Sequence, residues 1–243
     1  MLRGPERDQV RLRFETPAVC AEVIEQGGAH IGLVPVAEIA RQQLETVPGC
    51  GIACMGAVRS ILLISHVPLR KVRTVAADMS SRTSVQLARV ILRERYGVEP
   101  GFERHMPVLN DMLASSDAAL LIGDAALRLD LDSLPYDTVD LGAEWLELTG
   151  LPMVFAQWAG KSPLPQATLQ DILNGSYAFG KAHIDELVKA EFENRRVTAA
   201  LAYEYVTGYI RYEIGPDELK GLEAFLSLAG LDAEAATPAN ACR

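Results

Sequence analysis

The chain has 243 residues, 49% hydrophobic and 23% charged, an ordinary globular balance with enough length to bury one large core or two small ones. Its net charge of −9 gives no basic footprint for nucleic acid, so any anion it binds must be held by local donors rather than by the global field. No run reaches the roughly 18 to 20 apolar residues of a membrane span, and the opening Met-Leu-Arg-Gly-Pro lacks the apolar core of a secretion signal, so the reading is a soluble, cytoplasmic protein with no membrane partner.

Residues 1–11 are charged and punctuated by Gly and Pro and read as a loop, although residues 10–14 alternate apolar and basic side chains like a short strand. Thr16-Pro17 supplies the cap and first residue of a helix that closes at Gly27-Gly28. Residues 31–34 are a compact apolar run that predicts a buried parallel strand; Pro35 ends it and residues 36–43 continue as a helix. After Pro48-Gly49, residues 51–55 and 58–65 are strand-like, and the second is apolar enough to predict a central strand. Cys50 and Cys54 lie here without a His or a second Cys pair to complete a zinc set. With Cys20 and Cys242 they read as incidental thiols of a reducing compartment, and no metal or cofactor is expected.

His66-Val67-Pro68 opens a linker over residues 66–72, and a second α/β series follows: strand 72–77, helix 84–96 stopped by Gly97, strand 102–106, helix 109–115 and strand 118–122. Ligands of open α/β sheets collect outside the carboxyl ends of strands, and two strand ends here carry chemistry. The first runs into Asp78-Met79-Ser80-Ser81-Arg82-Thr83-Ser84 and a helix. A helix start presents unpaired N–H groups and positive dipole charge, so the hydroxyls of Ser81, Thr83 and Ser84 around it make a seat for a carboxylate or phosphate. Simple capping by Ser80 or Ser81 is the competing reading. The second strand ends in Gly123-Asp124, a ligand-facing edge or a plain turn.

Residues 136–141, 143–148 and 153–159 read as strand, helix and strand, and beyond Lys161 the chain turns helical over 168–173, 177–194 and 197–211. A last helix opens at Pro216, and its stripe of Leu219, Leu222, Phe225 and Leu226 reads as core packing; residues 231–243 read as a frayed end. The layout predicts an α/β protein of two lobes, with residues 1–66 in the first, 67–150 in the second and 151–243 returning to the first with the C-terminal helices. A ligand belongs in the cleft between them.

Six stretches appear in order: Ile31-Gly32-Leu33-Val34-Pro35-Val36, Val58-Arg59-Ser60-Ile61-Leu62-Leu63, Ala77-Asp78-Met79-Ser80-Ser81-Arg82-Thr83-Ser84, Ala118-Ala119-Leu120-Leu121-Ile122-Gly123-Asp124, Asp140-Leu141-Gly142-Ala143-Glu144-Trp145 and Leu148-Thr149-Gly150-Leu151-Pro152-Met153-Val154-Phe155-Ala156. Over roughly residues 10–230 this set closely resembles the chorismate dehydratases of the futalosine route to menaquinone. The resemblance implies a two-lobed fold like the type II periplasmic binding proteins, used as a cytoplasmic lyase. The implied reaction removes water from chorismate to give 3-[(1-carboxyvinyl)oxy]benzoate, which needs neither metal nor redox cofactor because losing one ring proton and the hydroxyl aromatises the ring.

By the resemblance, Ser60 sits at the first lobe's edge of the cleft, Ser81, Thr83 and Ser84 clasp a substrate carboxylate, and Gly123-Asp124 closes the far side. Asp124 is a candidate proton acceptor, with a carboxylate of the substrate itself as its rival. Family members open with a strand and a Tyr-Leu-Asn-type segment whose Asn faces the substrate; Met1-Leu2-Arg3-Gly4-Pro5 resembles the stretch after it, which implies that this segment is missing. A non-catalytic carboxylate-binding protein of the same fold is the alternative. The sister enzyme that forms 1,4-dihydroxy-6-naphthoate is similar too, but carries a His near the Gly123-Asp124 position, where none of His30, His66, His105 and His183 falls.

Overall fold

The chain builds part of one β-sheet, crosses to a second, and returns; the computed structural model describes residues 3–232, and the end segment 233–243, with Cys242, lies outside the described residues. A 3-10 turn, Pro5–Gln9, occupies the stretch that reads as a loop. Residues 10–14 form no strand, because an alternating pattern becomes one only against a ladder partner; none is present among the described residues, and Phe14 is 73% exposed. Helix α1 (Pro17–Glu25) begins with Pro17 at its first turn and is followed by Gly27 in the left-handed region. Strand β1 (Ile31–Pro35), helix α2 (Val36–Gln42) and strand β2 (Glu45–Cys54) follow, β2 running straight through Pro48-Gly49 with a shift of register between Thr46 and Gly51.

The next strand, β3 (Ile61–Ser65), is buried at all five positions, yet it belongs to the second sheet and lies next to that sheet's edge rather than at its centre. The crossing therefore falls at residues 55–60, ahead of the expected linker, whose Leu69–Lys71 stretch is a 3-10 turn inside the second series. That series continues with β4 (Thr74–Asp78), α3 (Thr83–Tyr96), β5 (Gly101–His105), α4 (Leu109–Ser115), β6 (Ala118–Ile122), α5 (Gly123–Leu127), β7 (Asp137–Asp140) and α6 (Leu141–Thr149). The strand order is β5-β4-β6-β3-β7, with β4 parallel to β5 and β6 and with β3 antiparallel to β6 and β7. Helix α3 buries Leu87, Ala88, Ile91 and Leu92, one face of a 3.6-residue period, and leaves Arg93 and Arg95 in its last turn before Gly97.

Strand β8 (Met153–Gly160) returns to the first sheet and runs antiparallel between β1 and β2. That corrects the parallel expectation for β1. The remaining chain is α7 (Gln166–Ala182), α8 (Ile184–Arg195), α9 (Ala199–Glu204), a π-helical turn Tyr205–Tyr209, β9 (Arg211–Glu213) and α10 (Pro216–Leu228). The single helical run expected over 197–211 thus splits into a short helix, a wide turn and a strand that pairs with β2. On α10, Phe225 is fully buried edge-to-face against Trp145, whose indole N–H donates to Pro152 O at 3.0 Å, but Leu219 is 51% exposed and outside the core stripe.

Three contacts tie the two sheets together. The Asp140 carboxylate accepts from the backbone N–H groups of Val58, Arg59, Gly142 and Ala143 at 2.6–3.1 Å, so it caps α6 and clamps the crossing at once. Gly142 lets the crossing lie against α6, since a Cβ there would run into Gly56 O and sit 2.8 Å from Cys54 Sγ. Thr83 Oγ1 donates to Phe155 O of β8 at 3.1 Å and accepts from Ala37 N of α2 at 3.3 Å.

Two of these contacts have a measurable consequence. Gly142→Ala should destabilise by about 1–3 kcal/mol, the usual cost of overpacking against backbone, and lower Tm by roughly 2–4 °C per kcal/mol for a chain of this size. A wild-type Tm would show that the crossing can move aside. Thr83→Val, which keeps shape but leaves a buried carbonyl and N–H unpaired, should cost about 1–3 kcal/mol in urea denaturation, and an unchanged midpoint would remove the bridge from the account.

Candidate active site

The second sheet gathers four chemically rich ends on one edge. Parallel pairing brings the carboxyl ends of β4 and β6 together, and antiparallel pairing of Ile61 with Ile122 and of Leu62 with Asp140 adds the start of β3 and the end of β7. Ser81, Gly123-Asp124, Ser60 and Asp140 therefore share that edge, the place where ligands of α/β sheets collect.

At the β4 end, the Asp78 carboxylate accepts from Ser80 N at 2.9 Å and from the Ser80 hydroxyl at 2.7 Å, a local turn that takes Ser80 out of play. The residue before α3 is Arg82, and its side chain makes no cap. The Arg82 guanidinium donates to Met79 O and Ser81 O at 3.1 Å and pairs with Glu22 at 3.3 Å and Glu38 at 3.7 Å, which joins this loop to α1 and α2. Ser81 is 4% exposed, and its buried Oγ meets no hydrogen-bonding partner among the described residues. Buried hydroxyls are normally satisfied, at a cost of about 1–3 kcal/mol when they are not. The capping reading of Ser80 and Ser81 thus gives way to an uncapped helix start with an orphaned hydroxyl beside it.

Thr83 and Ser84, the other expected clasp residues, are buried at the same helix start. The Thr83 hydroxyl hydrogen is committed to Phe155 O, so this side chain bridges the sheets rather than offering its proton to a ligand. Ser84 forms no side-chain hydrogen bond with the described residues and leaves its hydroxyl available.

At the β6 end, Gly123 N donates to Ser60 O at 2.7 Å, which brings these two expected residues into contact. Gly123 has φ +58, and a Cβ there would meet nothing within 4 Å, so the edge is open beside it. Ser60 is buried in the crossing, and its Oγ lies 3.0 Å from the Tyr205 hydroxyl. Asp124 begins α5, and its Oδ2 faces Arg195 of α8 at 3.3 Å and Arg128 at 3.7 Å. The structure therefore turns Asp124 toward two guanidinium groups. Arg59 holds φ +63 beside Ser60, its N–H on Asp140 and its guanidinium on the carbonyls of Ala126 and Leu129 at the end of α5.

Tyr205 and Asp140 are contributors that the sequence reading misses. Asp140 carried a signal, an acid ahead of a helical run, whereas Tyr205 sits in a stretch that reads as continuous helix. Burial pushes the Tyr205 phenol up, with its hydrogen bond to Ser60 working against that and the nearby Asp124 charge adding to it, so the group keeps its proton at neutral pH. Burial likewise pushes the Cys54 thiol up to about 12, helped by Asp140, which leaves it an inert core thiol. Two surface cavities, of about 490 and 160 Å³, involve none of the expected site residues.

Relatives share this architecture. The chain is 29% identical over 240 residues to the chorismate dehydratase of Thermus thermophilus, an alignment that covers 91% of this chain and 87% of that one. Among solved structures, a protein of Archaeoglobus fulgidus superposes with a TM-score of 0.70 at 14% identity, covering 88% of this chain and 83% of its own. The periplasmic aliphatic sulphonate binding protein of Escherichia coli superposes with a TM-score of 0.61 at 12% identity, covering 90% and 74%. These likenesses establish a periplasmic-binding-protein-like fold. A family model described as menaquinone biosynthesis matches residues 2–230, and the chain belongs to that family.

Proposed function

We propose that the chain is a chorismate dehydratase, a cytoplasmic lyase that converts chorismate to 3-[(1-carboxyvinyl)oxy]benzoate and water in the futalosine route to menaquinone. Membership of the menaquinone-biosynthesis family and the likeness to the Thermus enzyme support the reading. The observation that carries it is the uncapped start of α3 with the orphaned Ser81 hydroxyl beside it, donors at the carboxyl end of β4 that no side chain among the described residues accepts from. A substrate carboxylate there would take the first-turn N–H groups, the dipole field and the hydroxyls of Ser81 and Ser84.

The chemistry asks little more than placement. Chorismate gains aromaticity when it loses a ring proton and its hydroxyl, so an enzyme that aligns the two bonds supplies most of what the step needs. Gly123, one strand away from the carboxylate seat, and Ser60, two strands away, close on the rest of the ring. The proton goes to a carboxylate of the substrate in this scheme, because Asp124 spends Oδ2 on Arg195 and Arg128. Thr83 holds the seat in place through Phe155 and Ala37.

Incubation of the purified chain with chorismate should yield a product lighter by one water in mass spectrometry. Saturable binding of chorismate without that loss would return the chain to the class of carboxylate-binding proteins. Ser81→Ala should leave Tm unchanged or slightly raised, since it removes an unsatisfied buried group, while KM rises about 10- to 100-fold for a lost hydrogen bond to a charged oxygen. An unaltered KM would detach Ser81 from the substrate.

A further inference from the structure

We propose that Tyr205 is a positioning residue of this site, orienting the Ser60 hydroxyl so that its hydrogen points at the departing hydroxyl oxygen of the substrate; the inference rests on the dehydratase reading. Three observations carry it. The Tyr205 and Ser60 oxygens are 3.0 Å apart, and Ser60 is tied in turn to Gly123 through its carbonyl. Tyr205 opens a π-helical turn closed by the bond from Ile210 N to Tyr205 O at 3.3 Å. Such wide turns are uncommon and recur at functional sites, because the extra residue re-aims a side chain relative to the helix before it. Here the turn separates α9 from β9 and delivers Tyr205 from the helical return onto the crossing.

The direction of the hydrogen bond decides the role. Each hydroxyl has one hydrogen and can also accept. With the phenol donating to Ser60 Oγ, the serine hydrogen is released from the protein and its donor strength rises through the chain of bonds. With the serine donating to the phenol, Ser60 has nothing to offer. A ligand oxygen at the sheet edge selects the first arrangement.

Geometry then assigns that oxygen. The carboxylate seat lies at the end of β4 and Ser60 at the start of β3, with β6 between them, a span of roughly 10 Å at the usual strand spacing. A six-membered ring with a carboxylate and a hydroxyl on opposite carbons, plus a hydrogen bond at each end, fills such a span. The hydroxyl that leaves in the proposed dehydration is placed on its ring in that way, so a donor at Ser60 meets the oxygen on which negative charge develops as the C–O bond breaks.

The test is a double-mutant cycle with kinetics and melting measured on the same samples. Tyr205→Phe removes one oxygen and keeps the ring; it should lower kcat about 10- to 100-fold with KM within twofold, while Tm falls by only a few degrees for the unpaired Ser60 hydroxyl. Ser60→Ala should lower kcat at least as far, and the double variant should be no slower than Ser60→Ala alone, because Tyr205 acts only through Ser60. Ser60→Thr, which retains the hydroxyl, should recover part of the rate. Wild-type kcat in Tyr205→Phe, or additive losses in the double variant, would overturn the role while leaving the dehydratase reading intact. Failure of the wild-type protein to release water from chorismate would overturn both.

Discussion

The structure turns on one carboxylate. Asp140 accepts four backbone N–H groups, two from the start of its own helix α6 and two from the segment that carries the chain between sheets. A single anion therefore does the work of a helix cap and a staple, with charge-assisted bonds that are each stronger than a neutral one. The staple fixes Val58 and Arg59, and it does so with Arg59 at φ +63, a conformation that costs an ordinary residue roughly 1–2 kcal/mol. The bond from Arg59 N to Asp140 at 2.6 Å and the seating of its guanidinium on the end of α5 offset that cost. Ser60 comes next in the chain, so its place at the sheet edge is inherited from Asp140 and from the absence of a side chain at Gly142.

The two ends of that edge solve opposite problems. At Ser60 the carbonyl and the hydroxyl both have protein partners, and the question is which hydroxyl donates. At Ser81 a hydroxyl is buried with none among the described residues, next to a helix start whose preceding residue spends its side chain on Glu22, Glu38 and two carbonyls. A chain under selection for stability alone would place a capping Ser or Asp there. Local conflict of this kind, an easily supplied cap withheld and a buried donor left over, is what the proposed carboxylate seat would resolve.

Much of this was legible in the sequence, and the exceptions share a cause. Helix α3, strand β6 and the uncrowded Gly123 follow from period, apolar runs and turn chemistry, all of which act over a few residues. The misreadings concern partners distant in sequence. Residues 10–14 carry a strand pattern and no ladder partner, β1 runs antiparallel because β8 returns more than a hundred residues later, and β3 joins the second sheet through pairing with β6 and β7. At the site, the Ser81 to Ser84 cluster was visible as hydroxyls at a helix start, but the division of labour within it was not. Only the fold shows that Thr83 faces Phe155 and Ala37 while Ser81 faces no acceptor or donor among the described residues. Tyr205 was hidden because a π-turn has no period of its own, and a helical pattern reads through it.

The Thr83 bridge also bears on how the fold is used. Units of a chain joined by a modest interface move against each other by default. In this chain the contact between sheets is made at the start of α3, the proposed carboxylate seat: the hydroxyl one residue past Arg82 holds β8 and the first turn of α2, and Arg82 holds Glu22 and Glu38. Parting the sheets at that point exchanges two hydrogen bonds within the protein for bonds to water, at a net cost of about 0.5–1.5 kcal/mol each, with the ion pairs adding less because water screens them. The sum is a few times RT and favours the joined arrangement. In the proposed dehydratase such a frame would keep the donors of the seat aimed where the substrate carboxylate would sit. Preorganisation of that sort serves a reaction whose main demand is alignment better than it serves capture and release.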